Sequence, residues 1–310
     1  MGEAPPGSVM STEAYASCLV IGADSTIGSA LFQDLSAALP EVYGTTRRKI
    51  ADTEGGMIGE FDLSVTPPFP VTCPVPKVIF ICAAVTSFAA CAADPLNTEI
   101  VNVNAARDIA RYYMDRGSFV IFLSTSAVFD GSTKFPDEKS APSPTTEYGR
   151  QKALAESLML GMDPARSKVA IVRLTKVFTR ENAVILDFIE KLGRAEICQP
   201  FIDLVISPIS INYAIAGLRE IASQKTGGIF HLSGAQDITY ADLAKKIAFN
   251  MGVSLNLVRP VFSAQKSANL IYKPTFPSLG MTRTESVVGI GAESLTRLLE
   301  NLRFNRTSLL

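Results

Sequence analysis

Tyr148 and Lys152 stand four residues apart in the run YGRQK. On a helix two such positions share one face, so a phenol and an ammonium can meet the same ligand. A cation beside a phenol favours the phenolate and lowers its pKa, giving a proton donor or acceptor for neutral pH. Hydride chemistry at a carbonyl needs such a group. Just upstream, Ser124, Thr125 and Ser126 in FLSTSAVFDG close an apolar, strand-like run. Hydroxyls at the carboxyl end of a parallel strand lie on the edge where α/β sites form. The Tyr-x-x-x-Lys spacing alone is common, and the hydroxyl cluster ahead of it supplies its context.

A second constellation is suited to a phosphate-bearing cofactor. CLVIGADSTIGSALFQDL passes from an apolar run into a helix-like pattern through Gly22, Ser25, Thr26, Ile27 and Gly28. A strand followed at once by a helix aims free backbone N–H groups and the positive helix end at an anion. Gly22 allows the tight turn and Gly28 lets the helix pack closely on the sheet. The middle position, a glycine in the usual dinucleotide loop, is Ser25 here. A serine narrows the approach to a pyrophosphate, while its hydroxyl could donate to a phosphate oxygen. The next strand-like run ends in Thr45, Thr46, Arg47 and Arg48, with no carboxylate after it until Asp52. At that place arginine pairs with the 2′-phosphate of NADP, where an acid would accept from the 2′-hydroxyl of NAD. The run predicts NADP (as NADPH), with NAD as the alternative.

These residues need a scaffold, and the chain alternates apolar runs with helix-length amphipathic segments. Strands are predicted at Cys18–Gly22, Val42–Thr46, Met57–Phe61, Val78–Val85, Phe119–Ser124 and Val169–Leu174. Helices are predicted at Thr26–Ala38, Leu96–Arg116 and from about Thr146. Continuous apolar strands alternating with helices argue for a parallel sheet covered on both faces, a Rossmann-like doubly wound α/β fold. Residues 1–14 read as a flexible leader, 15–175 as the cofactor-binding domain, and 176–310 as a smaller mixed C-terminal lobe for substrate. Within that lobe helices are expected at Ile211–Ser223 and Tyr240–Met251, and residues 205–235 partly return to the first domain through the strand-like GGIFHLS.

Composition narrows the function classes. The 310 residues are 47% hydrophobic with a net charge of −1, which gives a sizeable core and no electrostatic footprint for nucleic acid or an anionic membrane. No apolar run reaches the length of a membrane span, and the first residues lack the pattern of a signal peptide. Five cysteines without a CxxC pair suggest a reduced, cytoplasmic protein. The one histidine, His231, excludes a multi-histidine metal site; no metal is expected, and His231 reads as a packed strand residue.

The chain resembles the extended short-chain dehydrogenase/reductase superfamily, and within it the dTDP-4-dehydrorhamnose reductase branch. The resemblance rests on ICAAVTSF, IVNVNAARDIA, FLSTSAVFDGSTKFPDEKSAPSPTTEYGRQKALAE, VAIVRLTKVF and GGIFHLSGAQDITYADLAKKIA, and covers most of residues 18–250. It implies that Tyr148 is the general acid, that Lys152 binds the nicotinamide ribose and assists the tyrosine, and that Thr125, beside Ser126, holds the substrate oxygen. It implies that Asp62 and Leu63 receive the adenine, that Ala83 and Ala84 border the cofactor, and that Thr86 faces the cofactor–substrate junction. Asn104 is expected to bond to backbone near the central strands. The implied reaction is reduction of a 4-keto group on a nucleotide-linked deoxysugar, and helix-pair homodimers are common among resembling proteins. Two departures stand out. The branch usually reads S-T-D-Y-V-F-D-G, where this chain has Ser126-Ala127, and the Asp-Glu pair of the 4,6-dehydratases is missing. A nucleotide-sugar epimerase holding NAD tightly, and a non-catalytic cofactor-binding regulatory relative, remain as alternatives. Arg194 and Arg283 are candidates for a nucleotide diphosphate or ordinary surface arginines, and Phe201 and Asp203 in QPFIDL resemble a loop over the substrate.

Overall fold

The protein is described by a computed structural model covering residues 16–48, 57–65, 74–266 and 270–302. The leader expected at 1–14, Asp52 and Cys73 lie outside the described residues. Seven parallel strands form the main sheet: β1 (Ser17–Ile21), β2 (Glu41–Thr46), β3 (Met57–Glu60), β4 (Val78–Ile81), β5 (Phe119–Thr125), β6 (Val169–Leu174) and β10 (Gly228–Leu232). Their order is β10-β6-β5-β4-β1-β2-β3, with the reversal between β1 and β4. Every residue of β1, β4 and β6 is buried, as strands covered on both faces must be.

Alternate residues of these strands feed two cores. On one face Val20, Phe80, Ile121 and Val172 pack under α1 (Thr26–Ala38) and α7 (Ile211–Gln224) through Leu31, Leu35, Leu218 and Ile221. On the other, Leu19, Ile79, Phe122 and Ile171 meet Ile109 and Tyr113 of α4 (Ala106–Met114) and Ala155 and Met159 of α5 (Glu147–Met162). A third core lies beyond β6. It joins Phe178 of β7 (Lys176–Phe178), Ile185, Phe188 and Leu192 of α6 (Ala183–Gly193), Leu243 and Ile247 of α8 (Tyr240–Asn250), and Leu298 of α10 (Leu295–Leu302). Two small sheets accompany it: β7 with β9 (Pro208–Ser210), and β8 (Val205–Ile206) with β11 (Ile238–Thr239). Helices α6, α9 (Thr282–Val288) and α10 were not among the elements expected from the sequence. Among the described residues no helix is long and apolar enough to cross a membrane.

Two expected elements are shorter or broken. The apolar run to Val85 leaves the sheet after Ile81, because the N–H groups of Cys82 and Ala83 both donate to the Ile21 carbonyl and turn the chain aside. The single helix expected over Leu96–Arg116 is α3 (Pro95–Glu99), a π-helical stretch Ile100–Ala105 and then α4. A further short helix, α2 (Phe88–Ala93), precedes them; Asp94 ends it and caps α3, whose first residue is Pro95.

Candidate active site

The β1–α1 loop begins the cofactor end of the site. Gly22 has φ of 83°, and a Cβ there would come within 2.7 Å of the Ala83 side chain, so no other residue fits without displacing the neighbouring strand's exit. The Gly22 and Ala23 N–H groups donate to the Thr45 carbonyl at 3.1 and 2.8 Å, tying the loop to the end of β2. Ser25 is the N-cap of α1. Its hydroxyl accepts from the Gly28 N–H at 3.1 Å and donates to the Gly22 carbonyl at 2.8 Å. Both hydrogen-bonding roles are therefore filled inside the loop. The backbone N–H groups of Thr26 and Ile27, in the first turn of α1, have no helical acceptor ahead of them.

Beside this loop lies a cleft of about 400 Å³. It is lined by Gly22 and Ser25, by Thr46, Arg47 and Arg48 after β2, by Asp62 and Leu63 after β3, and by Ala83 and Ala84 after β4. Thr26, Ile27 and Gly28 are not in its lining and stand behind Ser25 in the helix. The Thr46 hydroxyl accepts from the Arg48 N–H at 3.2 Å. Asp62 accepts from the Ser64 N–H and hydroxyl, which hold its carboxyl below the ordinary range, with Arg47 adding a smaller pull. Asp24, which the sequence reading did not single out, also lines the cleft and pairs with Arg48 at 3.3 Å. Its only sequence signal is a carboxylate inside the glycine loop.

The chemical end is built by β5 and α5. The Thr146 hydroxyl caps α5 by accepting from the Gly149 N–H at 3.1 Å. Gly149 lies so close to the Ala127 carbonyl oxygen that a Cβ would overlap it, so α5 is seated directly against the turn after Thr125. Thr125 is half-buried, and its Oγ1 accepts from the Ala127 N–H at 3.1 Å, leaving its proton to donate elsewhere; Ser126 beside it is half-buried too. Tyr148 is 8% exposed, packed edge-on by Phe88, which is itself covered by Tyr272. Thr86 is exposed on the loop that leads into α2.

The proton chemistry of the pair differs from expectation. Burial pushes the Tyr148 phenol above its ordinary value, and the lowering expected from Lys152 is not produced by the chain's own groups. Burial acts on Lys152 as well, bringing its ammonium down to about 7, opposed more weakly by Glu156 and the Cys82 thiol. The ammonium sits 3.7 Å from the centroid of the Phe122 ring. Two buried, neighbouring groups thus favour their neutral forms: a protonated phenol and an amine poised near neutrality.

Behind them runs a buried polar chain. Ser124 donates to Glu156, one α-helical turn beyond Lys152. Arg173 of β6 pairs with Glu156 through Nη2 at 2.6 Å and Nε at 3.1 Å, and its Nη1 lies 3.4 Å from Nε2 of His231. His231 Nδ1 stands 2.7 Å from the Gly280 carbonyl, an arrangement that makes Nδ1 the donor and Nε2 the acceptor. Burial, then Arg173, lowers the histidine's pKa to about 4, so it is neutral and structural, as expected. Glu156 and Arg173 were missed, although an arginine inside the apolar run VAIVRL signals a buried partner.

Other expectations move. Asn102, not Asn104, bonds to backbone: its side chain accepts from the Val85 N–H at 2.8 Å and donates to the Val85 carbonyl at 3.0 Å and to Gln151 at 2.8 Å. The π-helical stretch sets which asparagine faces inward. Arg283 donates to the Gly227 carbonyl at 2.7 Å and lies on Phe230, so it is occupied structurally. Arg194 is exposed at the end of α6. Asp203 accepts from the Ser263 N–H and hydroxyl and pairs with Lys273, and Phe201 bridges to Val261, which fastens QPFIDL to a later segment.

Comparison with known proteins agrees with this architecture. The family model described as RmlD substrate binding domain matches residues 16–303. A dTDP-4-keto-6-deoxy-D-glucose reductase of Streptomyces niveus is 30% identical over 213 residues, 66% of this chain and 71% of that one. The methionine adenosyltransferase 2 subunit beta of Rattus norvegicus is 26% identical over 246 residues, 75% and 73% of the two chains. The solved structure of a dTDP-4-dehydrorhamnose reductase from Bacillus anthracis str. Ames in complex with NADP superposes with a TM-score of 0.75 at 19% identity, over 93% of this chain and 96% of that one. The chain belongs to the RmlD substrate binding domain family, within the extended short-chain dehydrogenase/reductase superfamily.

Proposed function

We propose that the protein uses NADPH to reduce the 4-keto group of a nucleotide-linked deoxysugar. What supports this reading is that the 400 Å³ cleft follows the carboxyl ends of β1 to β4, while Thr125 ends the neighbouring β5 of the same sheet and the helix of Tyr148 and Lys152 is seated against the turn after Thr125. The names of the relatives support it, since one is a reductase of a dTDP-linked 4-keto-6-deoxy sugar. The residues fit the cofactor. Gly22 and Ser25 line the cleft at the start of α1, where the free N–H groups of the first helical turn suit a pyrophosphate. Arg47 and Arg48, with Thr46, suit a 2′-phosphate; Asp62 and Leu63 border the adenine, and Ala83 and Ala84 the path between.

When bound, the nicotinamide supplies a hydride to the carbonyl carbon. Tyr148 donates its phenolic proton to the carbonyl oxygen, which the Thr125 hydroxyl holds in place. Lys152, in its ammonium form, stabilises the phenolate that forms beside it, and binds the nicotinamide ribose. The protonated resting phenol suits the role of proton donor. Substrate recognition belongs to the lobe built from residues 176–310 outside the returning segment. A homodimer and a cytoplasmic location go with the same proposal, on family resemblance and cysteine usage.

Purified protein given NADPH and a panel of dTDP- and UDP-linked 4-keto sugars is expected to consume NADPH with at least one of them, and to use NADH less well. Co-purified NAD with substrate interconversion and no net NADPH consumption would instead establish an epimerase.

A further inference from the structure

Along the chain, the run TTRR offers two arginines and no nearby acid to a ribose 2′-phosphate. The fold changes that balance by bringing acids from two other elements. Among the described residues, the charged side chains lining the 400 Å³ cleft are Arg47 and Arg48 after β2, Asp24 from the β1–α1 loop and Asp62 after β3, two of each sign. Arg48 Nε stands 3.3 Å from Asp24 Oδ2. Asp62, whose carboxyl is held low first by Ser64, also feels Arg47.

The two acids differ in how they meet the cleft. Asp62 Oδ1 closes a turn on its own segment by accepting from the Ser64 N–H and hydroxyl. The Asp24 carboxylate instead reaches across to the neighbouring strand end, and its backbone is anchored on both sides. Before it, the Gly22 and Ala23 N–H groups donate to the Thr45 carbonyl; after it, Ser25 caps α1.

The Arg48 side chain is 77% exposed and that of Asp24 31%, so their pair adds little to stability. What it alters is the charge that a ligand meets at Arg48. An anion taken by this guanidinium also comes close to the Asp24 carboxylate, and like charges so near one another repel even in water. A ribose hydroxyl has the opposite preference, because a carboxylate accepts a hydrogen bond from it.

We propose that Asp24 is a specificity-determining residue for the cofactor: its carboxylate opposes the 2′-phosphate of NADP at Arg48 and accepts from the 2′-hydroxyl of NAD. The inference rests on the reading of the cleft as the dinucleotide site, and it deepens that reading. Arg47 and Arg48 favour NADPH, and an acid from a different element keeps the preference narrow, so that NADH remains usable.

The test is fluorescence titration of the full chain with NADPH and NADH, joined by competition with adenosine 2′,5′-bisphosphate and AMP, which differ only in the 2′-phosphate. Asp24→Asn is expected to raise the ratio of NADPH to NADH affinity by about tenfold, with a like shift between the two fragments. The effect should grow at low ionic strength. Asp24→Glu, which keeps the charge, is expected to stay near the wild-type ratio; a ratio as high as that of Asp24→Asn would assign the effect to loop shape and overturn the proposal. An unchanged ratio in Asp24→Asn overturns it as well. So does equal tightening of both dinucleotides, because the charge would then act on the pyrophosphate they share. All three of these outcomes leave the cleft as the cofactor site, whereas wild type that binds neither dinucleotide overturns that reading together with the proposal.

Discussion

Ser25 shows how one hydroxyl can serve the fold at a position usually read for its ligand. It caps α1 and bonds back to Gly22, so its side chain shapes the loop from a position that also lines the cleft. Ser25→Ala is therefore expected to lower stability by about 1 kcal/mol, as loss of an N-cap does, and to change NADPH affinity by no more than about threefold. Chemical denaturation and cofactor titration check the two halves; a tenfold loss of affinity with unchanged stability would put the hydroxyl on the phosphate after all. Glu156 and Arg173 make the opposite point. Nothing in the Tyr-x-x-x-Lys spacing announces them, yet they form a fully buried ion pair one turn below Lys152. Removing one partner of such a pair leaves an uncompensated buried charge, a cost of about 3–5 kcal/mol.

At the scale of elements, the strongly periodic segments were legible and the interrupted ones were not. Helix α1 runs over the residues its pattern predicts, β6 does too, and α7 is one residue longer than expected. Their signals are local: an apolar run or a stripe with a capping residue at its start. The end of β4 and the π-helical stretch were illegible because both depend on partners far along the chain, the Ile21 carbonyl and Val85 with Gln151. Helix α6 was missed although Ile185, Phe188 and Leu192 keep helical spacing behind the Asn182 cap, since its apolar stripe faces a core made by later segments. The seating of α5 is likewise a contact between elements. Gly149→Ala is expected to push α5 off the Ala127 carbonyl and displace Tyr148 from Thr125, lowering kcat by roughly tenfold or more. NADPH affinity should fall less than kcat, because Lys152 is the one cofactor contact assigned to α5 and the residues lining the cleft lie on other elements. An unchanged kcat would show that the seating does not position the tyrosine.

Across the whole molecule, a seven-stranded parallel sheet carries both halves of the site on one edge, and the strand order reverses between β1 and β4, where the cleft opens. The sequence revealed most of the cleft because its residues follow strand ends directly, where type and position are both readable. It revealed less of what surrounds Tyr148: Phe88 and Tyr272 come from segments far apart in the chain and meet only in the fold. The central claim is that this edge performs a reduction with Tyr148 as the proton donor. The most direct test is NADPH consumption with the best nucleotide 4-keto sugar, wild type against Tyr148→Phe, with NADPH affinity measured on both. A loss of about 10²–10⁴-fold in kcat at unchanged NADPH affinity is the result expected of a missing general acid. Equal rates in the two proteins would contradict the mechanism, and binding of NADPH without turnover in wild type would contradict the enzymatic reading itself.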